Sequence, residues 1–123
     1  MKPYIIIFFI TASLISAKAS ALSAEEKIRV PFQYGLGKNL FEKNCSSCHG
    51  VDAKGTDKGP PLLHRIYEPS HHGDESFYRA ALNGVKSHHW KFGDMLPVPG
   101  VERRDVSKIL PYIRWLQRQH GIN

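Results

Sequence analysis

The sequence predicts a small all-α domain, built from three or more short helices joined by long loops. Apolar residues recur at helical spacing in three separate segments, and no stretch shows the alternation of a half-buried strand. The intervening stretches are rich in Gly, Pro, Asp, Ser and His, which is loop chemistry. With 123 residues the chain is long enough for one domain and too short for two.

In chain order, Met1 and Lys2 precede an apolar run over residues 5–10, a softer stretch to Ile15, and small residues at Ala17, Ala19 and Ala21. This is the pattern of a secretory signal peptide over residues 1–21, with a mature chain starting near Ser20 or Leu22. The apolar part falls short of the roughly 20 residues that cross a bilayer. An uncleaved anchor is the alternative, but a soluble, exported, periplasmic product without a permanent membrane span is expected. Residues 22–34 read as an N-terminal extension and residues 35–123 as the domain.

The first helix is expected over residues 35–45, where Leu36, Leu40 and Phe41 share a face and Gly37 leaves room for another backbone. Residues 50–73 form a loop too long for a compact domain unless something besides chain packing organises it. Asp74 opens a second helix, with Phe77, Ala81, Leu82 and Val85 on one side and Gly84 near its end. A second loop over residues 86–100 contains Met95-Leu96-Pro97-Val98-Pro99, where two prolines prevent regular hydrogen bonding. Over residues 102–119, Val106, Ile109, Leu110, Ile113 and Leu116 mark a buried helical stripe. Pro111 interrupts that stripe, and a kink or restart is expected around residues 107–111.

Removing Lys2 and Lys18 takes the basic residues from 17 to 15 against 11 acids, so the mature chain is only mildly basic. Its charges are dispersed, which argues against nucleic-acid binding. In an exported protein, two cysteines ordinarily make a disulfide. Here Cys45-Ser46-Ser47-Cys48 runs directly into His49, and that spacing is the haem attachment sequence. Two thiols at a fixed separation add across the two vinyl groups of one porphyrin, and the adjacent imidazole is brought onto the iron. Zinc would need further ligands to close a four-coordinate site, and a thioredoxin-like motif would need a βαβ pattern that is missing. One covalent haem c per chain is therefore expected.

Met95 is the sole methionine left after signal removal and is the candidate second axial ligand, a soft thioether that favours ferrous iron. A methionine filling a core gap is the plainer alternative. His64, His71, His72, His88 and His89 are competing ligands.

These residues resemble the class I cytochromes c, and the likeness covers essentially the whole mature chain. It runs through Gly37 with Phe41, the attachment motif with Gly50, Gly59-Pro60-Pro61-Leu62, Gly93-Asp94-Met95-Leu96-Pro97, and the terminal helix with Tyr112, Ile113 and Leu116. The resemblance implies a cytochrome c-like fold wrapped around one haem. It also implies an electron carrier between redox proteins or membrane oxidoreductases, with no substrate reaction of its own. Gly37 and Phe41 are then expected against the terminal helix near Tyr112. The Pro60 carbonyl is expected to accept a hydrogen bond from His49 Nδ1, which would orient the imidazole, and Leu62 to pack on the haem.

Two features depart from a plain carrier: Pro111, and the histidines His64, His71, His72, His88 and His89 around the middle helix. They fit solvated loops or haem-propionate partners, a role also open to Arg65, Trp90 and Lys91. Alternatively, His71, His72, His88 and His89 supply a second, copper or zinc site. Adjacent residues rarely face one ion, so two doublets are expected to give two ligands rather than four. A peroxidatic or small-molecule-binding haem would require Met95 to be off the iron.

Overall fold

The first and last helices cross and carry most of the core. In the computed structural model, which describes residues 29–123, these are α1 (Gly35–Asn44) and α4 (Arg103–Gln119). Between them lie α2 (Ser46–His49) and α3 (Asp74–Asn83). The expected signal peptide and much of the N-terminal extension lie outside the described residues. The all-α expectation holds: among the described residues the sole β pairing is an isolated antiparallel bridge between Val85 and Met95.

The crossing depends on one residue without a side chain. A Cβ on Gly37 would lie 2.1 Å from the Lys108 carbonyl oxygen and 3.1 Å from Tyr112 Cβ, so only glycine lets the backbones approach this closely. One turn later Phe41 is fully buried, its ring 5.8 Å from that of Tyr112. Tyr34 stacks on Trp115 at 5.6 Å, and Val30 also packs against the core. Core packing thus includes residues just before Gly35.

α4 starts with a capping box in which Glu102 and Asp105 each bond the other's backbone N–H. It then runs unbroken through Pro111, so the expected restart does not occur. Pro111 is on the exposed face, where the Ser107 carbonyl that loses its partner can be hydrated.

The loop over residues 50–73 folds back on the attachment segment. Gly55 N–H donates to the His49 carbonyl (2.7 Å), Thr56 Oγ1 to the Cys48 carbonyl (2.6 Å), and Leu62 N–H to the Ala53 carbonyl (2.8 Å). Two buried polar residues of α4 hold its second half. Gln117 Nε2 donates to the Leu62 carbonyl (3.0 Å), while Arg114 donates to the carbonyls of Tyr67 (2.7 Å) and His72 (2.6 Å) and to Asp74 Oδ1 (3.0 Å). Burying a guanidinium is tolerable only because its N–H groups meet oxygen acceptors in this way. No helix among the described residues is long and apolar enough to cross a membrane.

Candidate haem site

A cavity of about 520 Å³ opens between the helices, within the usual range of about 300–1,000 Å³ for ligand pockets. Cys45, His49, Leu62, Phe77, Met95 and Ile113 are among its lining residues, and the lining is mainly apolar. α3 contains no buried residue, because its apolar residues Phe77, Ala80 and Ala81 line this cavity, Phe77 also touching the core at its edge. An apolar cradle of this kind, with a thiol and an imidazole in its wall, fits a large flat apolar group bearing a metal.

The local fold aims the attachment motif. α1 ends at Cys45, and α2 turns directly from it, the His49 amide bonding the Cys45 carbonyl at 3.0 Å. Cys45 thus lines the cavity, while Cys48 is exposed. Burial, and secondarily the neighbouring Cys48, push the Cys45 thiol up to about 11. A thiol held protonated at neutral pH is a poor redox nucleophile. His49 is buried, and its Nδ1 lies 2.9 Å from the Pro60 carbonyl oxygen. Nδ1 is thereby fixed as the donor, leaving the Nε2 lone pair for a metal. Desolvation lowers the imidazole's pKa, opposed by the Pro60 bond, so the ring is neutral at pH 7.

Met95 is held by its backbone on both sides: its N–H donates to the Val85 carbonyl (2.9 Å) and its carbonyl accepts from Val85 N–H (2.8 Å). Gly84 makes this possible. It ends α3 at φ +79°, and a Cβ there would lie 2.5 Å from the Met95 carbonyl oxygen. Val98 N–H bonds the Ala81 carbonyl (2.9 Å), tying the proline-rich loop to α3.

The histidines separate into two groups. His64 Nδ1 accepts from Ile66 N–H (3.2 Å), capping a 3-10 turn over Arg65–Tyr67, and its ring meets Trp90 edge-on. His71, His72, His88 and His89 all line the cavity, and since all but the half-buried His72 are exposed, they stand at its mouth. Potential ligand atoms of His71, His72 and His89 lie within 4.8 Å of one another; His88 stands outside this trio. His71 and His72 point together because both amides bond the Glu68 carbonyl in one tight turn (3.0 and 2.8 Å), so the alternation of an extended chain does not apply. Trp90 lines the cavity with its Nε1 donating to Tyr67 Oη (3.1 Å), whereas Arg65 and Lys91 are not in the wall. Tyr67 and Arg79 are wall residues that sequence reasoning missed. Arg79 falls one turn before Asn83 on α3, and helical spacing from Ser76 could have found it.

The Cytochrome c family model matches residues 35–117, and the chain belongs to that family. It is an all-α cytochrome c domain, and its cofactor is covalently attached haem c, in keeping with the cavity and the cysteine pair. Cytochrome c550 of Pseudomonas aeruginosa is 36% identical over 50 residues, which are 41% of this chain and 33% of that protein. The Cbb3-type cytochrome c oxidase subunit CcoP of Rubrivivax gelatinosus is 27% identical over 104 residues, 83% of this chain and 30% of that protein. The aligned regions thus span about a third of each relative's length. No solved structure matches the chain.

Proposed function

We propose that the chain is an exported, periplasmic monohaem electron carrier in which Cys45 and Cys48 form the thioethers, His49 is the proximal ligand and Met95 the distal one. The observation that carries this reading is the presence, in the lining of one cavity, of both a histidine locked by Pro60 and a methionine clamped at both backbone groups by Val85. The bound haem would supply a one-electron ferric/ferrous couple. The chain's own contribution is to fix both ligands beforehand, so that little reorganises when the charge changes. Leu62, Phe77 and Ile113 keep water from the ring, and the thioether raises the potential. With both axial positions filled, the protein passes electrons and has no reaction of its own. The likeness to a cytochrome oxidase subunit supports a membrane oxidoreductase as redox partner.

The test is exposure of the reduced protein to carbon monoxide. A six-coordinate carrier leaves its spectrum unchanged, whereas rapid formation of a carbonyl complex would favour the peroxidatic or ligand-binding alternative.

A further inference from the structure

The histidine group at the cavity mouth has a geometry that electron transfer does not use. His71 Nε2 and His89 Nε2 are 3.4 Å apart. Two nitrogens bound to one tetrahedral zinc at about 2.0–2.1 Å stand about 3.3–3.4 Å from each other, so this pair already has the spacing of two ligands on one ion. A third imidazole is close by, since ligand atoms of His71, His72 and His89 all fall within 4.8 Å of one another. His72 is oriented as metal-bound histidines are. Its Nδ1 bonds the Ile66 carbonyl at 2.6 Å, which assigns the proton to Nδ1 and leaves the Nε2 lone pair free.

Hydrogen bonds hold the backbone that carries these side chains. Arg114, a buried residue of α4, donates to the His72 carbonyl at 2.6 Å and to the Tyr67 carbonyl at 2.7 Å, fixing the turn that carries both His71 and His72. On the facing loop, the Ser87 amide bonds Asp94 Oδ1 (2.8 Å) and the Val85–Met95 bridge closes the loop's base beneath His89. His88 Nδ1 is 2.8 Å from the Lys86 carbonyl oxygen, and its ring stands 4.2 Å from that of His89, a wall beside the trio rather than a member of it.

We propose that His71, His72 and His89 form a binding site for one tetrahedral divalent metal ion of the zinc class, with its fourth position open to water or an external ligand. The donor set is three neutral nitrogens with no thiolate or carboxylate, which suits zinc or copper and not calcium or magnesium. The ion would join the loop before α3 to the loop after it, across the mouth of the cavity. This inference goes beyond the electron-carrier reading and does not depend on Met95 being an iron ligand.

The test uses the haem-loaded, untagged protein, titrated with zinc by calorimetry and examined by X-ray absorption at the zinc edge. Zinc is chosen because it exchanges no electron with the haem, so the haem spectrum reports independently on the fold. The expected result is one zinc per chain, bound through three nitrogens at about 2.0–2.1 Å. His71→Ala and His89→Ala should each weaken binding by at least ~10-fold, the scale on which even an orienting partner matters. His120→Ala, at an exposed histidine outside the trio, should leave it unchanged. Substoichiometric uptake, or uptake unaffected in the doubly substituted His71→Ala/His89→Ala protein, would overturn the proposal. So would a double variant in which the haem spectrum shifts while the parent binds no zinc, because that outcome assigns the histidines to the haem carboxylates.

Discussion

Replacing Gly37 with alanine probes the contact on which the helix crossing depends. The new Cβ would sit 2.1 Å from the Lys108 carbonyl oxygen and 2.9 Å from its carbon, both backbone atoms that cannot rotate away. To restore van der Waals distance, α1 must retreat by about 1 Å from α4, loosening the fully buried Phe41 against Tyr112. Overpacking of this kind costs about 1–3 kcal/mol and occasionally more. Alanine's better helix propensity returns about 0.5–1 kcal/mol. The net loss should therefore be about 1–2 kcal/mol, or roughly 5–10 °C in Tm for a domain of this size. Thermal unfolding of the haem-loaded protein, followed by circular dichroism, measures it. Asn39→Ala, at an exposed position of the same helix, isolates the propensity gain. If Gly37→Ala were as stable as Asn39→Ala, the close approach would not be what holds the two helices.

Three further outcomes follow from the same contacts. Gln117→Leu preserves volume but strands the Leu62 carbonyl and one Arg114 N–H, which the amide now engages at 3.0 and 2.7 Å; urea unfolding should show a loss of about 2 kcal/mol or more. Gly84→Ala forces a residue with a Cβ into φ +79° against the Met95 carbonyl, so the reduction potential should fall and the ferrous iron should become accessible to carbon monoxide, whereas an unchanged potential would detach Gly84 from the Met95 clamp. Burial, with Glu42 and Asp52 adding to it, pushes the Tyr112 hydroxyl up to about 12, against about 10 when unfolded. Above pH ~10 the unfolded chain thus releases this proton first, and stability should decline until the pH passes the folded value. Tyr112→Phe removes that share, so its urea midpoint should fall less between pH 9 and 11; equal falls would refute the assignment.

The three principal helices were legible because their apolar residues recur at helical spacing, facing the core in α1 and α4 and the cavity in α3, and the attachment motif because its residues are consecutive. What escaped were effects of tertiary contact. Arg114 and Gln117 border the stripe of α4 as polar residues that periodicity alone does not place in the core. They are buried because the loop from Leu62 to His72 lies over them and presents its carbonyls. Pro111 was expected to kink or restart the helix, but local sequence does not reveal that it lies on the exposed face of α4, where the Ser107 carbonyl can be hydrated. The joint orientation of His71 and His72 likewise depends on a turn centred on the Glu68 carbonyl, which no periodicity signals. Tyr34 and Val30 carry no periodic signal either; Tyr34 stacks on Trp115 and Val30 packs at the edge of the core.

The central claim is that Met95 and His49 hold one covalently attached haem iron between them. The absorption spectrum of the ferric protein tests it most directly, because sulfur ligation gives ferric haem a weak far-red band that paired nitrogen ligands do not. The account requires that band in the wild type, and its loss in Met95→Ala while the haem stays covalently attached. A wild-type spectrum lacking the band, or a Met95→Ala spectrum identical to the wild type, would contradict it and transfer the sixth position to a histidine.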